Sequence, residues 1–169
     1  WAALGAALLL LPHTGVMAQQ RPESAVMEQF LSRVDSLRQA LRIPGLAIAV
    51  LRDTTGESVQ LYVRDGADRV CVAALESPHG LRTIVPIGAA LPMDRGSAGR
   101  VLAGEVGTHG WVQTVEEREP GVASVSAPVR RGDVVLAAIS ASGPIDRTGR
   151  APGRRHGDAV TAAARAEGR

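Results

Sequence analysis

Two pairs of short apolar segments constrain the fold of this chain most strongly. Residues 58–63 alternate in character and are followed by the turn Arg64-Asp65-Gly66 and a second apolar segment at 70–74. Residues 122–129 and 134–139 repeat this arrangement around another polar turn. Segments with this pattern, joined by a short polar loop, are typical of β-hairpins. The sequence therefore predicts two antiparallel hairpins.

Helical spacing appears outside these hairpins. The segment 24–41 is predicted as an amphipathic helix capped by Ser24, and Pro44-Gly45 is predicted to end it. Residues 46–50 are predicted as a short buried strand, the turn 96–99 as a loop leading into a helix, and residues 156–166 as a C-terminal helix. The apolar positions of the first helix are Met27, Phe30, Leu31, Val34, Leu37 and Leu41.

The first residues have the character of an export signal. Residues 1–11 are uncharged and apolar, and 16–18 offer a small-residue cleavage site before Gln19. The run is too short to cross a bilayer. It predicts a signal peptide over residues 1–18.

Composition excludes several classes of function. All basic residues are arginine, so the chain has no Walker lysine, Schiff-base lysine or Ser-x-x-Lys pair. The formal charge of +2 is not concentrated in a basic run, which gives little support for nucleic-acid binding. Cys71 has no partner for an internal disulfide, and its apolar neighbours predict a buried thiol. The four histidines show no metal-ligand spacing, so neither a metal nor another cofactor is predicted.

Two resemblances emerge along the chain. The leader, the first helix and Ile43-Pro-Gly-Leu-Ala-Ile-Ala-Val50 resemble the start of a secreted class C β-lactamase-type serine hydrolase. That family needs a Ser-x-x-Lys motif, which is absent here, so this alternative implies an inactive exported hydrolase fragment. Ser97 is also a poor nucleophile candidate because Arg95 stands at the first glycine position of a nucleophile elbow.

The second resemblance covers about residues 51–169. Five blocks in order resemble the effector-binding domain of IclR-type bacterial transcription regulators. They begin at Thr55-Gly-Glu-Ser-Val and continue with Glu76-Ser-Pro-His-Gly, Leu91-Pro-Met-Asp, Glu116-Glu-Arg-Glu-Pro-Gly and Ala137-Ala-Ile-Ser-Ala-Ser-Gly-Pro. The family has a longer helical stretch where this chain has only residues 104–109, which puts one wall of the pocket in doubt.

The IclR resemblance implies a fold, a function and partners. The fold would be α/β (α+β) and GAF-like, with a mainly antiparallel sheet and flanking helices. The function would be to sense a small carboxylate metabolite, without catalysis, in a cytoplasmic homo-oligomer. DNA binding in this family belongs to an N-terminal winged helix, which is not apparent in the sequence. The resulting domain prediction is a signal segment at 1–18, a hydrolase-like helix and strand at 19–53, and the effector-binding domain at 54–169.

The expected ligand site combines resemblance and chemistry. A carboxylate can bind unpaired N–H groups at a helix start, which the turn 96–99 would supply. Ser140 and Ser142 are two residues apart in a predicted strand, so their hydroxyls share a face that Ser124 of the neighbouring strand could join. By resemblance, the effector contacts fall on Gly80, Thr83, Ser97, Ala98, Thr114, Ser124, Ser140 and Ser142.

Other interpretations of these residues remain open at this stage. The small residues can serve close packing only, with the serines facing water. The chain can also be a fusion product of two unrelated segments that binds no ligand.

Overall fold

The structure, a computed structural model, describes residues 45–168. The predicted signal peptide and the predicted helix 24–41 lie outside the described residues. Within the described range, six strands form one antiparallel sheet in the order β3-β2-β1-β6-β5-β4. The expected mixed fold with a mainly antiparallel sheet and flanking helices is confirmed. The elements are α1 Gly45–Thr55, β1 Ser58–Asp65, β2 Asp68–Leu75, β3 Ala90–Pro92, α2 Ser97–Leu102, β4 Val112–Val115, β5 Val122–Arg131, β6 Val134–Pro144, α3 Ile145–Thr148 and α4 Pro152–Glu167.

Both predicted hairpins are present, as β1–β2 and β5–β6. Their turns contain Gly66 at φ 62° and Gly132 at φ 58°, a backbone region that glycine enters at little cost. Both hairpins are longer than the alternating segments alone predicted, because polar residues at the strand ends continue the pairing.

The prediction of a strand at residues 46–50 is wrong. These residues belong to α1, in which Ile48 and Leu51 are buried while Val50 is 54% exposed. A spacing of three residues places Ile48 and Leu51 on one face of a helix. A short run of apolar residues fits a strand or a helix equally well, and here packing against the sheet and α4 decides for the helix.

One face of the sheet carries the main hydrophobic core. Alternate residues of β1, β5 and β6 point to this face, and α1 and α4 cover it. Helix α4 begins at Pro152, four residues before the predicted start, because proline suits the first helical position. Strand residues at the centre of this core are Val59, Leu61, Val125, Ala127 and Ile139.

The opposite face is covered by α2 and by the segment that follows β2. Tyr62, Cys71 and Ala138 of the sheet pack there against Val101 and other residues of α2. The predicted loop-to-helix transition at 96–99 is therefore present, and Cys71 is buried as expected. The candidate site lies on this second face.

Candidate functional site under helix α2

Two rows of mostly polar side chains cross four strands on the α2 face. In the first row, Ser142 of β6 pairs with Ser58 of β1 and with Ser124 of β5, which in turn pairs with Thr114 of β4. Because alternate residues of a strand face the same side, the strands bury apolar residues beneath α1 and α4 and polar residues beneath α2. The second row consists of Gln60, Ser140, Ser126 and Val112.

A hydroxyl cluster joins these rows to α2. The Oγ of Ser97 lies 2.8 Å from Oγ of Ser124 and 2.7 Å from Oγ of Ser126. Thr114 Oγ1 lies 3.1 Å from Ser124 Oγ. Ser142 donates to Gln60 Oε1 at 3.0 Å. The register of the strands thus brings Ser97, Ser124 and Thr114 into one hydrogen-bonded group.

At the start of α2, two of the expected backbone donors already have partners within the protein. Ser97 N donates to Thr114 Oγ1 at 3.0 Å, and Gly96 N donates to Glu117 Oε2 at 3.1 Å. Both groups are satisfied by the protein itself. Helix α2 has only six residues.

A cavity of about 10 Å³ lies between the hydroxyl cluster and β1–β2. This volume matches a single water molecule. Ser97, Ala98, Ser124, Ser140 and Ser142, all expected site residues, contribute to its wall. The complete lining is Gln60, Tyr62, Arg69, Gly96, Ser97, Ala98, Arg118, Ser124, Ser140 and Ser142.

The sequence did not point to several of these residues. Gln60 and Tyr62 could have been found from the alternation of β1, because they lie two and four residues after Ser58 on one face. Arg69 and Arg118 gave no such signal, since an arginine beside a turn is normally solvated. Both nevertheless line the cavity, and no carboxylate does.

Three expected site residues are placed elsewhere. Thr114 is buried in the hydroxyl cluster but behind the cavity wall. Gly80 lies in an exposed loop, with nothing within 4 Å of where a Cβ would be. Thr83 is 6% exposed, and within residues 45–168 its Oγ1 has no hydrogen-bond partner.

Thr83 lines a separate, open cavity of about 670 Å³. Arg82 and Arg150 line this cavity together with Glu116, Glu119 and Asp146, so its charges are mixed. This balance does not favour an anion over a cation.

Within residues 45–168, no helix is long and apolar enough to cross a membrane. The described part of the chain also contains no group of three or more His, Cys, Asp or Glu residues placed to hold a metal ion.

The described residues form a small α+β domain, in which one antiparallel sheet has a polar cavity beneath the short helix α2. Residues 42–106 match the family model for the C-terminal domain of the bacterial transcriptional regulator IclR. The matched segment and the fold are similar to those of an IclR-type C-terminal domain, as the sequence resemblance predicted. The match begins inside the segment 19–53 that was assigned to a hydrolase-like start. No curated protein sequence matches the chain significantly.

Three solved structures of similar fold are transcriptional regulators. An IclR-family transcriptional regulator from Rhodococcus is 27% identical, with a TM-score of 0.66, and the match covers 80% of this chain and 68% of that one. The C-terminal domain of a transcriptional regulator from Vibrio cholerae is 24% identical, with a TM-score of 0.61 and coverage of 88% and 98%. IclR of Thermotoga maritima is 16% identical, with a TM-score of 0.68 and coverage of 86% and 74%.

Proposed function

We propose that this domain senses a small organic acid, which binds beneath α2 and shifts the arrangement of a regulator. The observation that carries the proposal is the cavity itself, which is walled by four serine side chains and two guanidinium groups and by no carboxylate. Hydroxyls and guanidinium N–H groups donate hydrogen bonds, and carboxylate oxygens accept them. This lining favours a small ligand with several acceptor oxygens.

The same lining favours binding over catalysis. It contains no histidine and no carboxylate that could act as a base. The hydroxyl of Ser97 is already engaged with Ser124 and Ser126. We therefore propose a binding role without turnover.

Ligand entry requires the site to open, because a space of about 10 Å³ holds no more than a water molecule. Arg118 forms the outer part of the wall, and its side chain is 21% exposed. Its Nη2 lies 3.6 Å from Glu119 Oε2, which is longer than a hydrogen bond. We propose that displacement of Arg118 admits the ligand, and that the energy of closure favours one arrangement of the domain.

The proposal also covers the compartment, the oligomeric state and the DNA-binding partner of the domain. The domain would act in the cytoplasm in a homo-oligomer, and DNA would be bound by a winged-helix domain outside residues 45–168. The regulators named above support this assignment through their fold and family.

Thermal unfolding in the presence of small organic acids tests the proposal. The chain would be melted at fixed pH and ionic strength with acetate, propionate, succinate and benzoate. A ligand that binds only the folded state at about 100 times its Kd adds about 2.7 kcal/mol of stability. For a domain of this size, that gain raises the Tm by roughly 5–10 °C.

A double variant, Ser140→Ala with Ser142→Ala, locates the effect. It removes two hydroxyls from the cavity wall and should reduce the shift. Thr108→Ala, in an exposed loop, is the matched control and should keep the full shift. A cooperative melt that no acid shifts would refute the proposed function.

A further inference from the structure

Arg69 is the most deeply buried charged side chain in the site. It is only 2% exposed, and its Cζ lies 5.5 Å from the centre of the Tyr62 ring. One nitrogen, Nη1, donates to the carbonyl of Pro92, whereas Nε has no hydrogen-bond partner among the described residues. A guanidinium has five N–H donors, and among the described residues only Nη1 has an assigned acceptor.

Among residues 45–168, no carboxylate forms an ion pair with Arg69. Burial raises the pKa of Tyr62 to about 12, and burial also raises the pKa of Cys71 to about 12. Both groups are therefore neutral at pH 7. The next charged neighbour, Arg118, is itself a cation.

The nearby carboxylates have other partners. Glu117 Oε1 pairs with Arg100 at 2.8 Å, and its Oε2 accepts from Gly96 N. The side chain of Asp94 is 72% exposed and pairs with Arg95 at 3.4 Å. Burial lowers the pKa of Arg69, and the attraction of the Asp94 carboxylate opposes this shift less strongly.

The backbone of α2 is shaped to admit this guanidinium. A Cβ at Gly99 would lie 2.9 Å from Nη1 of Arg69, and a Cβ at Gly96 would lie 3.3 Å from Nη2. Gly96 also has a φ of 81°, which disfavours other residues. The glycines of the turn 96–99 thus leave room for the Arg69 side chain beneath the first turn of α2.

We infer that Arg69 is the specificity-determining residue of the site, and that its guanidinium binds the carboxylate of an anionic effector directly. This inference rests on the proposed function and names the charge that the ligand must carry. A buried cation without a counter-ion is unfavourable, and a bound carboxylate supplies both the missing charge and acceptors for the free donors. A neutral ligand of the same shape does not supply the missing negative charge.

Paired ligands and a charge-removing variant test this inference. Binding of acetate, propionate and succinate would be measured by calorimetry beside their neutral amides. The wild type should bind acids and discriminate against amides. Arg69→Met keeps an unbranched side chain of similar length and should weaken acid binding by about 10- to 100-fold, the loss expected for a charged hydrogen bond.

Arg64→Met is the matched control. Arg64 pairs across the hairpin with Arg69 but is exposed, so this variant removes the same formal charge without touching the cavity. It should bind acids as the wild type does. Without ligand, Arg69→Met should unfold at an equal or higher urea concentration than the wild type, because it no longer buries an unpaired charge.

The outcomes separate this inference from the proposed function. Equal acid binding by the wild type and Arg69→Met, or equal binding of acids and amides, overturns the role of Arg69 but leaves the sensor intact. No binding of any acid to the wild type overturns both.

A salt titration of the wild type needs no variant. A buried pair is weakly screened, so the acid affinity should change less than about threefold between low and high NaCl. A steep fall in affinity would place the carboxylate on exposed arginines instead and would contradict the inference.

Discussion

Arg147 forms a bidentate ion pair with Glu57: its Nε and Nη2 lie 2.8 Å from Oε1 and Oε2 of the carboxylate. The Glu57 side chain is 4% exposed and that of Arg147 is 29% exposed. The hydrogen bond to Glu57 raises the pKa of Arg147 further. The third nitrogen, Nη1, donates to the carbonyl of Leu81 at 2.9 Å. The Arg147 side chain thus links α3 to Glu57, the residue before β1, and to the loop that carries Gly80 and Thr83.

Replacing Arg147 by methionine should lower the free energy of unfolding by about 2–4 kcal/mol. The change leaves the buried carboxylate of Glu57 without its partner, which costs more than the loss of an exposed pair. It also removes the donor to Leu81, so backbone amides of residues 80–83 should exchange hydrogen faster. Urea unfolding and hydrogen exchange measure the two effects.

The double variant Glu57→Gln with Arg147→Met should recover part of the lost stability, because no charge then remains buried. Arg131→Met, at an exposed strand end, serves as the control and should change stability by less than about 0.5 kcal/mol. An Arg147→Met variant as stable as this control would show that the pair contributes little.

The sheet and part of the candidate site could be predicted from the sequence because strand residues alternate between two faces. The period of two residues in β5 and β6 predicts which side chains share a face, so the sequence alone places Ser124, Ser140 and Ser142 in one group. Local turn chemistry identified both hairpins in the same way. These features depend on neighbouring residues along the chain.

Arg69 and α1 show what could not be predicted. The burial of Arg69 depends on Gly96, Gly99 and Tyr62, which come from other elements of the fold. The helical state of residues 46–50 depends on the surface offered by the sheet and α4. Both result from tertiary packing, which local sequence patterns do not predict.

Trp111 provides a second prediction, through its contact with α4. A Cβ at Gly157 would lie 2.5 Å from Nε1 of the Trp111 ring, and a Cβ at Gly153 would overlap ring carbons. Alanine normally stabilises a helix by about 1 kcal/mol relative to glycine. Here the effect of alanine on stability should reverse. Gly153→Ala or Gly157→Ala should each lower the free energy of unfolding by about 1–3 kcal/mol through overpacking.

Urea unfolding followed by circular dichroism measures this cost. Gly107→Ala is the matched control, because nothing lies within 4 Å of the Cβ it would add. A stabilising effect of alanine at Gly153 would contradict the tight contact between α4 and Trp111.

Cys71 should report global unfolding. Its side chain is fully buried, and burial raises the pKa of its thiol to about 12, so the folded protein holds almost no reactive thiolate at pH 8. Labelling by a thiol reagent should therefore proceed through the unfolded state. The rate should rise about tenfold for each 1.4 kcal/mol of destabilisation, and Arg147→Met should accelerate it accordingly. Rapid labelling in native buffer that no destabilising variant accelerates would show that the thiol is reached without unfolding.

Glu167 should make the domain less stable as the pH rises. Its side chain is buried near the end of α4, neither carboxylate oxygen has a hydrogen-bond partner within the described residues, and burial raises its pKa from 4.5 to about 7. The folded state then binds this proton more tightly than the unfolded state does, so the contribution of Glu167 to stability is greatest at low pH and is lost between about pH 4.5 and 7. Glu167→Gln should reduce this loss of stability by about 1–3 kcal/mol. The variant should change the free energy of unfolding little at pH 4.5 and raise it by the full amount at pH 8. Urea unfolding at several pH values, with Glu105→Gln in an exposed turn as the control, measures the difference; parallel profiles for the wild type and Glu167→Gln would refute it.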